Sequence, residues 1–144
     1  MAQPSVTDLA PRWNFTAAVA AWVFPGFGHY LLGQSHRAVI LATAIGALWL
    51  AGLFIGGIGS VDRATHPAWF LAQMLTAPSL VVDFFVGRLS PVPGFGRAGE
   101  LGVLFTARAG MLNLLAIIDV LYRDPRDPRH RLDAVEPEDQ REPV

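Results

Sequence analysis

A run of 21 residues with neither a charge nor a proline, residues 38–58, constrains this chain more than any other feature of its sequence. About 20 apolar residues in an α-helix, rising 1.5 Å each, cross a hydrocarbon core roughly 30 Å thick. Three further stretches, residues 15–33, 68–86 and 101–122, are also rich in apolar side chains. We therefore predict an all-α integral membrane protein, a bundle of about four transmembrane helices within residues 15–122.

The charged residues are concentrated at one end of the sequence. Of the 23 acidic and basic residues, 12 lie in positions 123–144, and the preceding 122 positions hold 11. So few charges cannot cover the surface of a soluble enzyme, and a net charge of −1 without a basic face excludes a nucleic-acid-binding protein. We expect a polar N-terminal segment (1–14), a transmembrane domain (15–122) and a disordered charged tail (123–144).

Proline interrupts two of the four predicted spans. Pro25, followed by Gly26, lies in the span 15–33, and Pro78 lies in the span 68–86. A proline removes one backbone hydrogen bond and kinks a helix. A membrane tolerates such a break only where other groups bond the freed carbonyls. The sequence leaves open whether the third span crosses fully or re-enters at Pro78.

Arginines are unevenly divided between the two sides of this four-span arrangement. The side with both termini and the middle loop holds six, and the other side three: Arg12, Arg63, Arg123, Arg126, Arg129 and Arg131 against Arg37, Arg88 and Arg97. The positive-inside rule then places both termini in the cytoplasm. We do not expect a cleaved signal peptide, because the Ala18-Val19-Ala20 triplet leaves almost no hydrophobic region before it.

Four ionisable residues lie inside the predicted spans, and three of them, His29, Asp83 and Arg108, are candidates for one site. His29 and Asp83 lie about one turn before the ends of their spans, and Arg108 lies two turns into its own. All three then approach the membrane face opposite the termini, whereas Asp119 lies near the other face. Ionisable groups in a bilayer need partners or water. We predict one polar cluster containing an Asp83–Arg108 ion pair. This cluster either holds the helices of the bundle together or binds a substrate or proton.

Several chemistries are excluded by composition. The chain has no cysteine, hence no thiolate metal site and no thiol nucleophile. All 11 basic residues are arginine, which excludes Schiff-base chemistry. Residues 94–99 spell the dinucleotide motif G-x-G-x-x-G, but prolines precede them and a span follows, so we interpret them as a loop. One histidine beside a carboxylate offers too few ligands for a metal. We expect no metal and no cofactor.

Small residues recur along the second span. Gly52 and Gly56 form a G-x-x-x-G motif, and Ala42 with Gly46 extends the same ridge. Small side chains at this spacing let two membrane helices approach closely. The partner is either another span of this chain, which we favour, or a second copy.

Residues 24–34 read Phe-Pro-Gly-Phe-Gly-His-Tyr-Leu-Leu-Gly-Gln and precede Arg37 and Ala38. The proline-glycine, the second glycine, the Gly-Gln and the basic residue before a second span resemble the two-helix transmembrane hairpin of the TM-two-domain-like proteins. Residues 105–119 also resemble the closing span of an uncharacterised bacterial four-span family. These resemblances imply a helical protein of a bacterial inner membrane, and they imply no catalytic residue.

We expect a non-enzymatic role, as a small membrane subunit or scaffold that packs in the lipid bilayer against partner helices or a second copy of itself. The absence of catalytic motifs in or beside the spans favours this role. The first alternative is a small transporter or proton-coupled permease subunit that uses His29, Asp83 and Arg108. The second is a lipid-modifying membrane enzyme with His29 as its base.

Overall fold

All regular structure in the described part of the chain is helical, which confirms the all-α class. A computed structural model describes residues 13–61, 63, 67–89 and 96–122, so the tail and most of the polar N-terminal segment lie outside the described residues. In chain order the helices are α1 (Phe15–Val23), α2 (Phe27–Leu31), α3 (Ser35–Gly56), a 3-10 helix (Ile58–Ser60), α4 (Pro67–Gln73), α5 (Ala77–Leu89) and α6 (Gly96–Tyr122).

Two of these helices, α3 and α6, are long and apolar enough to cross a membrane. They contain 22 and 27 residues, which corresponds to about 33 and 40 Å. Helix α3 closely matches the predicted run 38–58. Helix α6 starts at Gly96, before the predicted position 101, so part of the stretch interpreted as a loop is its first turn. Instead of two further spans, the structure divides 15–33 and 68–86 into pairs of short helices.

The two long helices pack antiparallel along a ridge of small residues. A side chain at Gly52 would meet Thr106 Cγ2 at 2.6 Å, and one at Gly56 would meet Gly102 Cα at 2.7 Å. The backbones therefore approach as closely as small-residue ridges allow. The Tyr122 end is the end of the α3–α6 pair at which α3 begins and α6 ends. The Gly96 end is the opposite one.

The α1–α2 pair forms a hairpin at the Tyr122 end. Helix α1 starts beside the last turn of α6, where the Asn14 amide donates to the Leu121 carbonyl at 3.4 Å. Pro25 has no amide hydrogen, and Gly26 has a φ of 85°, a left-handed conformation that only glycine adopts without strain. The chain then turns back, and Gly28 lies directly against the backbone of α1. The segment predicted as the first span is thus a helical hairpin. Its first helix, α1, has nine residues and is about 14 Å long.

The α4–α5 pair forms a second hairpin, which enters from the Gly96 end. Helix α4 ends against the middle of α6, where Gly110 contacts the Ala72 carbonyl. Residues 74–76 form a turn, and α5 returns toward the Gly96 end, where Asp83 lies 3.8 Å from Arg63. Of the two alternatives left open for this segment, the structure has the one in which the chain turns back.

Candidate functional site: polar contacts where the two hairpins meet

The turn before Pro78 leaves two backbone carbonyls without their helical partners. In a continuous helix the amide of residue 78 would bond the Met74 carbonyl, and the amide of Ser79 would bond the Leu75 carbonyl. Proline has no amide hydrogen, and the Ser79 amide donates to the Thr76 carbonyl at 3.1 Å instead. Both freed carbonyls need donors from elsewhere, because an unbonded buried carbonyl is destabilising.

Side chains from two distant segments supply these donors. Trp22 Nε1, near the end of α1, donates to the Met74 carbonyl at 3.1 Å. Asn113 Nδ2, on the buried face of α6, donates to the Leu75 carbonyl at 2.8 Å. The tip of the second hairpin is therefore held by the first hairpin and by α6.

Gln73, the last residue of α4, joins three segments through its buried carboxamide. Its Nε2 donates to the Ser60 carbonyl at 2.9 Å and to Thr106 Oγ1 at 2.8 Å. The Thr106 hydroxyl donates to the Gly102 carbonyl, 2.9 Å away. Gln73 thus connects the second hairpin to the 3-10 helix and to α6.

Two hydroxyls at the start of α5 connect this helix to α3. The Thr76 hydroxyl donates to the Gln73 carbonyl at 3.0 Å, so in the 2.9 Å contact between Thr76 and Ser79 the Ser79 hydroxyl is the donor. Ser79 Oγ in turn accepts from Trp49 Nε1 at 2.9 Å. We use the name central polar cluster for the seven side chains that make these contacts: Trp22, Trp49, Gln73, Thr76, Ser79, Thr106 and Asn113.

Two oxygen atoms of the central polar cluster have no donor within the described residues: Gln73 Oε1 and Asn113 Oδ1. Both side chains are at most 1% exposed, and the nitrogen of each carboxamide is already bonded. Buried acceptors normally have a partner, either in the protein or in an ordered water. These two oxygens therefore keep unused capacity to accept a hydrogen bond.

A second polar contact lies at the Tyr122 end, between the first hairpin and α6. His29 Nε2 is 2.9 Å from Asp119 Oδ2. His29 is only 1% exposed, whereas Asp119 is 45% exposed. His29 Nδ1 is buried without a partner in the described residues, which favours the tautomer that carries its hydrogen on Nε2 and donates to the carboxylate. This contact ties the short helix α2 to the end of α6.

The three residues predicted as one cluster lie in different places. His29 bonds Asp119, because the first hairpin returns to the Tyr122 end instead of crossing. Asp83 lies near Arg63, at 3.8 Å. Arg108 is exposed on the outer face of α6 and makes no ion pair with Asp83 in the described chain. Nor do the described residues contain a group of three or more His, Asp and Glu side chains that could hold a metal ion.

The predicted small-residue ridge serves two contacts. Gly52 and Gly56 face α6 of the same chain, while Ala42 faces the turn of the first hairpin, 3.1 Å from where a Cβ at Gly26 would lie. Around Gly46 no atom lies within 4 Å of an added Cβ. The ridge therefore packs both α6 and the first hairpin onto α3.

The sequence interpretation missed the central polar cluster, although one signal was visible. Asn113 is an uncharged polar residue in the mostly apolar run 101–122. Pro78, in the run 68–86, indicates a backbone carbonyl that loses its helical donor. Such a polar side chain in a membrane helix commonly bonds a neighbouring helix. Nothing in the sequence, however, links Asn113 to Leu75 or Trp22 to Met74.

One known protein family covers most of this chain. Residues 16–129 match a family described as a family of unknown function, DUF6677. The chain belongs to this family. The matched region contains both stretches that carry the sequence resemblances given above, and the DUF6677 description names no transmembrane hairpin and no activity. No curated protein and no solved structure matches the chain.

Proposed function

We propose that this DUF6677 member is an integral membrane protein in which α3 and α6 cross the bilayer and the two hairpins enter from opposite faces. Its exposed surface carries the proposal. Of the 18 most apolar consecutive residues of α3, only 17% are buried, and Phe54 on this helix is 84% exposed. The core helix of a soluble protein would be covered by neighbouring elements. Soluble proteins rarely leave most of such an apolar helix exposed to water.

The depth of the hairpins supports the same proposal. Non-helical backbone is found at membrane depth only where it is buried in protein or lines a cavity. The turn of the second hairpin meets this condition, because Trp22 and Asn113 bond its freed carbonyls. Aromatic side chains of the kind found at membrane interfaces lie at the Tyr122 end, where the rings of Trp13 and Tyr122 are 5.2 Å apart.

This arrangement exchanges Arg37 and Arg63 between the two sides without altering the arginine balance. Arg37 lies in the first turn of α3, at the Tyr122 end, and Arg63 lies beside Asp83, near the Gly96 end. The totals remain six and three, since one arginine moves each way. The proposal therefore keeps both termini in the cytoplasm of a bacterial inner membrane.

Single-cysteine labelling tests the arrangement, and the absence of native cysteine makes each variant specific. The variants are His36→Cys and Arg63→Cys, with Tyr122→Cys as the cytoplasmic reference. With an impermeant maleimide on intact cells, we expect Arg63→Cys to react and His36→Cys to be protected. Four full spans would give the reverse pattern. Release of the protein by alkaline carbonate would contradict membrane insertion altogether.

Within the membrane we propose a non-enzymatic role, as a subunit or scaffold. The observation that supports this role is Arg108, a charged side chain exposed midway along α6. A charge in the hydrocarbon region needs a partner, and no described residue of the same chain pairs with it. Native mass spectrometry of protein purified from its own membranes tests the role. We expect a defined complex, and a monomer without any bound protein would contradict it.

A second candidate function, transport, is favoured by the free acceptors Gln73 Oε1 and Asn113 Oδ1 where the hairpins meet. Membrane carriers place polar sites at broken helices near the midplane. Proteoliposomes containing a pH-sensitive dye, together with stopped-flow light scattering for water, test this candidate. Flux that Asn113→Leu abolishes in a folded protein would establish transport. Flux equal to that of empty liposomes would remove proton and water transport from consideration.

A further inference from the structure

Arg108 occupies an unusual position for a charged residue in a long apolar helix. It lies 12 residues after Gly96 and 14 before Tyr122, and the segments 101–107 and 109–118 beside it are uncharged. Its side chain is exposed. The structure gives it no hydrogen bond or ion pair to any described residue. If α6 crosses the bilayer as proposed above, no described residue of the same copy shields this guanidinium from hydrocarbon.

The outward direction of Arg108 follows from the packing of α6. Thr106, Ala109, Gly110 and Asn113 are all buried against α3 and the second hairpin. At 100° per residue, Arg108 lies 200° from Thr106, on the opposite face of the helix. Ionisable residues in membranes almost always face a bundle interior or a water-filled cavity. No described residue of the same copy covers the outer face of α6, and a second molecule on this face would give Arg108 the surroundings it needs.

The depth of Arg108 can be compared with that of the acidic residues. Gly52 lies against Gly102 and Thr106, so in the antiparallel α3–α6 pair Trp49 is level with residues 107 and 108. Trp49 bonds Ser79 at 2.9 Å. Asp83 is one turn further along α5, about 6 Å toward the Gly96 end.

The Arg108 side chain leans toward the same end, because helical side chains point toward the helix N-terminus. The guanidinium of Arg108 and the carboxylate of Asp83 therefore lie at the same depth to within about one turn, roughly 5 Å. The other described acids do not match. Glu100 is in the first turns of α6, and Asp119 is near its end and bonds His29.

Asp83 retains capacity for a second cation. Its contact with Arg63 is 3.8 Å, longer than a hydrogen bond; Arg63 is 69% exposed, and Asp83 is 16% exposed, so part of its side chain remains accessible to a second copy. A carboxylate accepts several hydrogen bonds and binds arginine well in a bidentate geometry. The neighbouring residues Phe84 and Phe85 expose their rings, and Met111 and Leu115 are exposed beside Arg108. Both sides of the contact would therefore have apolar surroundings.

We propose that Arg108 of one copy pairs with Asp83 of a second copy of this chain, so that the outer face of α6 packs against α5 of its neighbour. This inference deepens the proposed membrane-subunit role and rests on it. Copies inserted in the same orientation cannot pair α6 with α6, since Arg108 would then face Arg108. The contact therefore joins α6 of one copy to α5 of another, either reciprocally across a two-fold axis or head-to-tail in a ring.

The first test is native mass spectrometry of the purified full-length protein in a mild detergent and in nanodiscs. We expect an oligomer for the wild type and at least a tenfold loss of it in Arg108→Leu, with Arg108→Lys retaining it. Arg108→Leu changes only an outward side chain, so the packed face of α6 stays intact. Arg108→Asp and Asp83→Arg should each give monomers, and the double variant should restore the oligomer.

Disulfide cross-linking between differently tagged copies provides the second test. Leu101 is exposed seven residues before Arg108, on the same face of α6 and about level with Phe85. Leu101→Cys in one copy and Phe85→Cys in the other should therefore cross-link, and Arg108→Leu should reduce the yield at least tenfold. Leu101→Cys with Ile55→Cys, exposed on α3 at a similar depth, is the control pair and should not react.

A wild-type monomer, or an oligomer that Arg108→Leu leaves unchanged, would overturn the pairing. A monomer with a phospholipid adduct that Arg108→Leu removes would assign the arginine to a lipid phosphate and would also overturn it. So would a complex with a different protein that supplies the carboxylate. A protein that stays in membranes after carbonate treatment but is monomeric refutes this pairing without refuting membrane insertion.

Discussion

Gly110→Ala tests whether the second hairpin is seated on α6 as the structure places it. The added methyl group would overlap the Ala72 carbonyl at the end of α4. Because this neighbour is backbone, it cannot rotate away, and the hairpin itself must move. Overpacking of this kind destabilises by about 1–3 kcal/mol, and we take the upper value because of the backbone contact.

Two further terms enter the estimate. Displacement of the hairpin weakens the bonds of Gln73 to Thr106 and of Asn113 to Leu75, each worth about 0.6 kcal/mol in a membrane protein. Alanine in place of glycine favours the helix by about 1 kcal/mol. The sum is a loss of about 3 kcal/mol in the free energy of unfolding.

Gly46→Ala is the matched control, since it makes the same exchange in the other long helix. No atom lies within 4 Å of the added Cβ at Gly46, so we expect no loss and a gain of at most about 1 kcal/mol. The assay is equilibrium unfolding in mixed micelles with increasing SDS, followed by tryptophan fluorescence and circular dichroism. The reasoning is refuted if Gly110→Ala and Gly46→Ala differ by less than about 1 kcal/mol.

The remaining predictions use the same assay. Asn113→Leu should lower the free energy of unfolding by about 1 kcal/mol, because the Leu75 carbonyl loses its donor while the free Oδ1 also disappears. Asn113→Asp, similar in shape, should be worse, since it places a carboxylate oxygen against that carbonyl; equal losses would contradict the assigned bond. His29→Phe should lose about 1 kcal/mol, because Asp119 is half exposed and regains water. Asp119→Asn, which still accepts from His29 Nε2, should lose less, and the opposite order would exclude His29 as the donor.

Local sequence determined the two long helices and the positions of the breaks. The run 38–58 predicts α3 because it is mostly apolar and contains neither a charge nor a proline. The run 101–122 predicts α6 because it is also mostly apolar and free of proline, although it holds Arg108, Asn113 and Asp119. Pro25 with Gly26, and Pro78, mark the places where a helix must be interrupted. These are properties of a residue and its immediate neighbours.

The tertiary structure decided what happens at each break. A kinked helix and a hairpin that turns back contain the same proline, and the choice depends on which groups bond the freed carbonyls. In the second hairpin these groups are Trp22 and Asn113, which are 52 and 38 residues away from the carbonyls they bond. No local pattern records such a pairing.

The turns also determine where the ionisable residues lie. When a segment turns back instead of crossing, the residues after its turn return to the end of the α3–α6 pair from which the segment entered. His29 follows such a turn, so it lies at the Tyr122 end beside Asp119 and not with Asp83. Sequence alone therefore determined which residues would need partners, because ionisable groups in apolar helices are identifiable one by one. Only the tertiary structure decided which partners they have, because that depends on how many times the chain crosses.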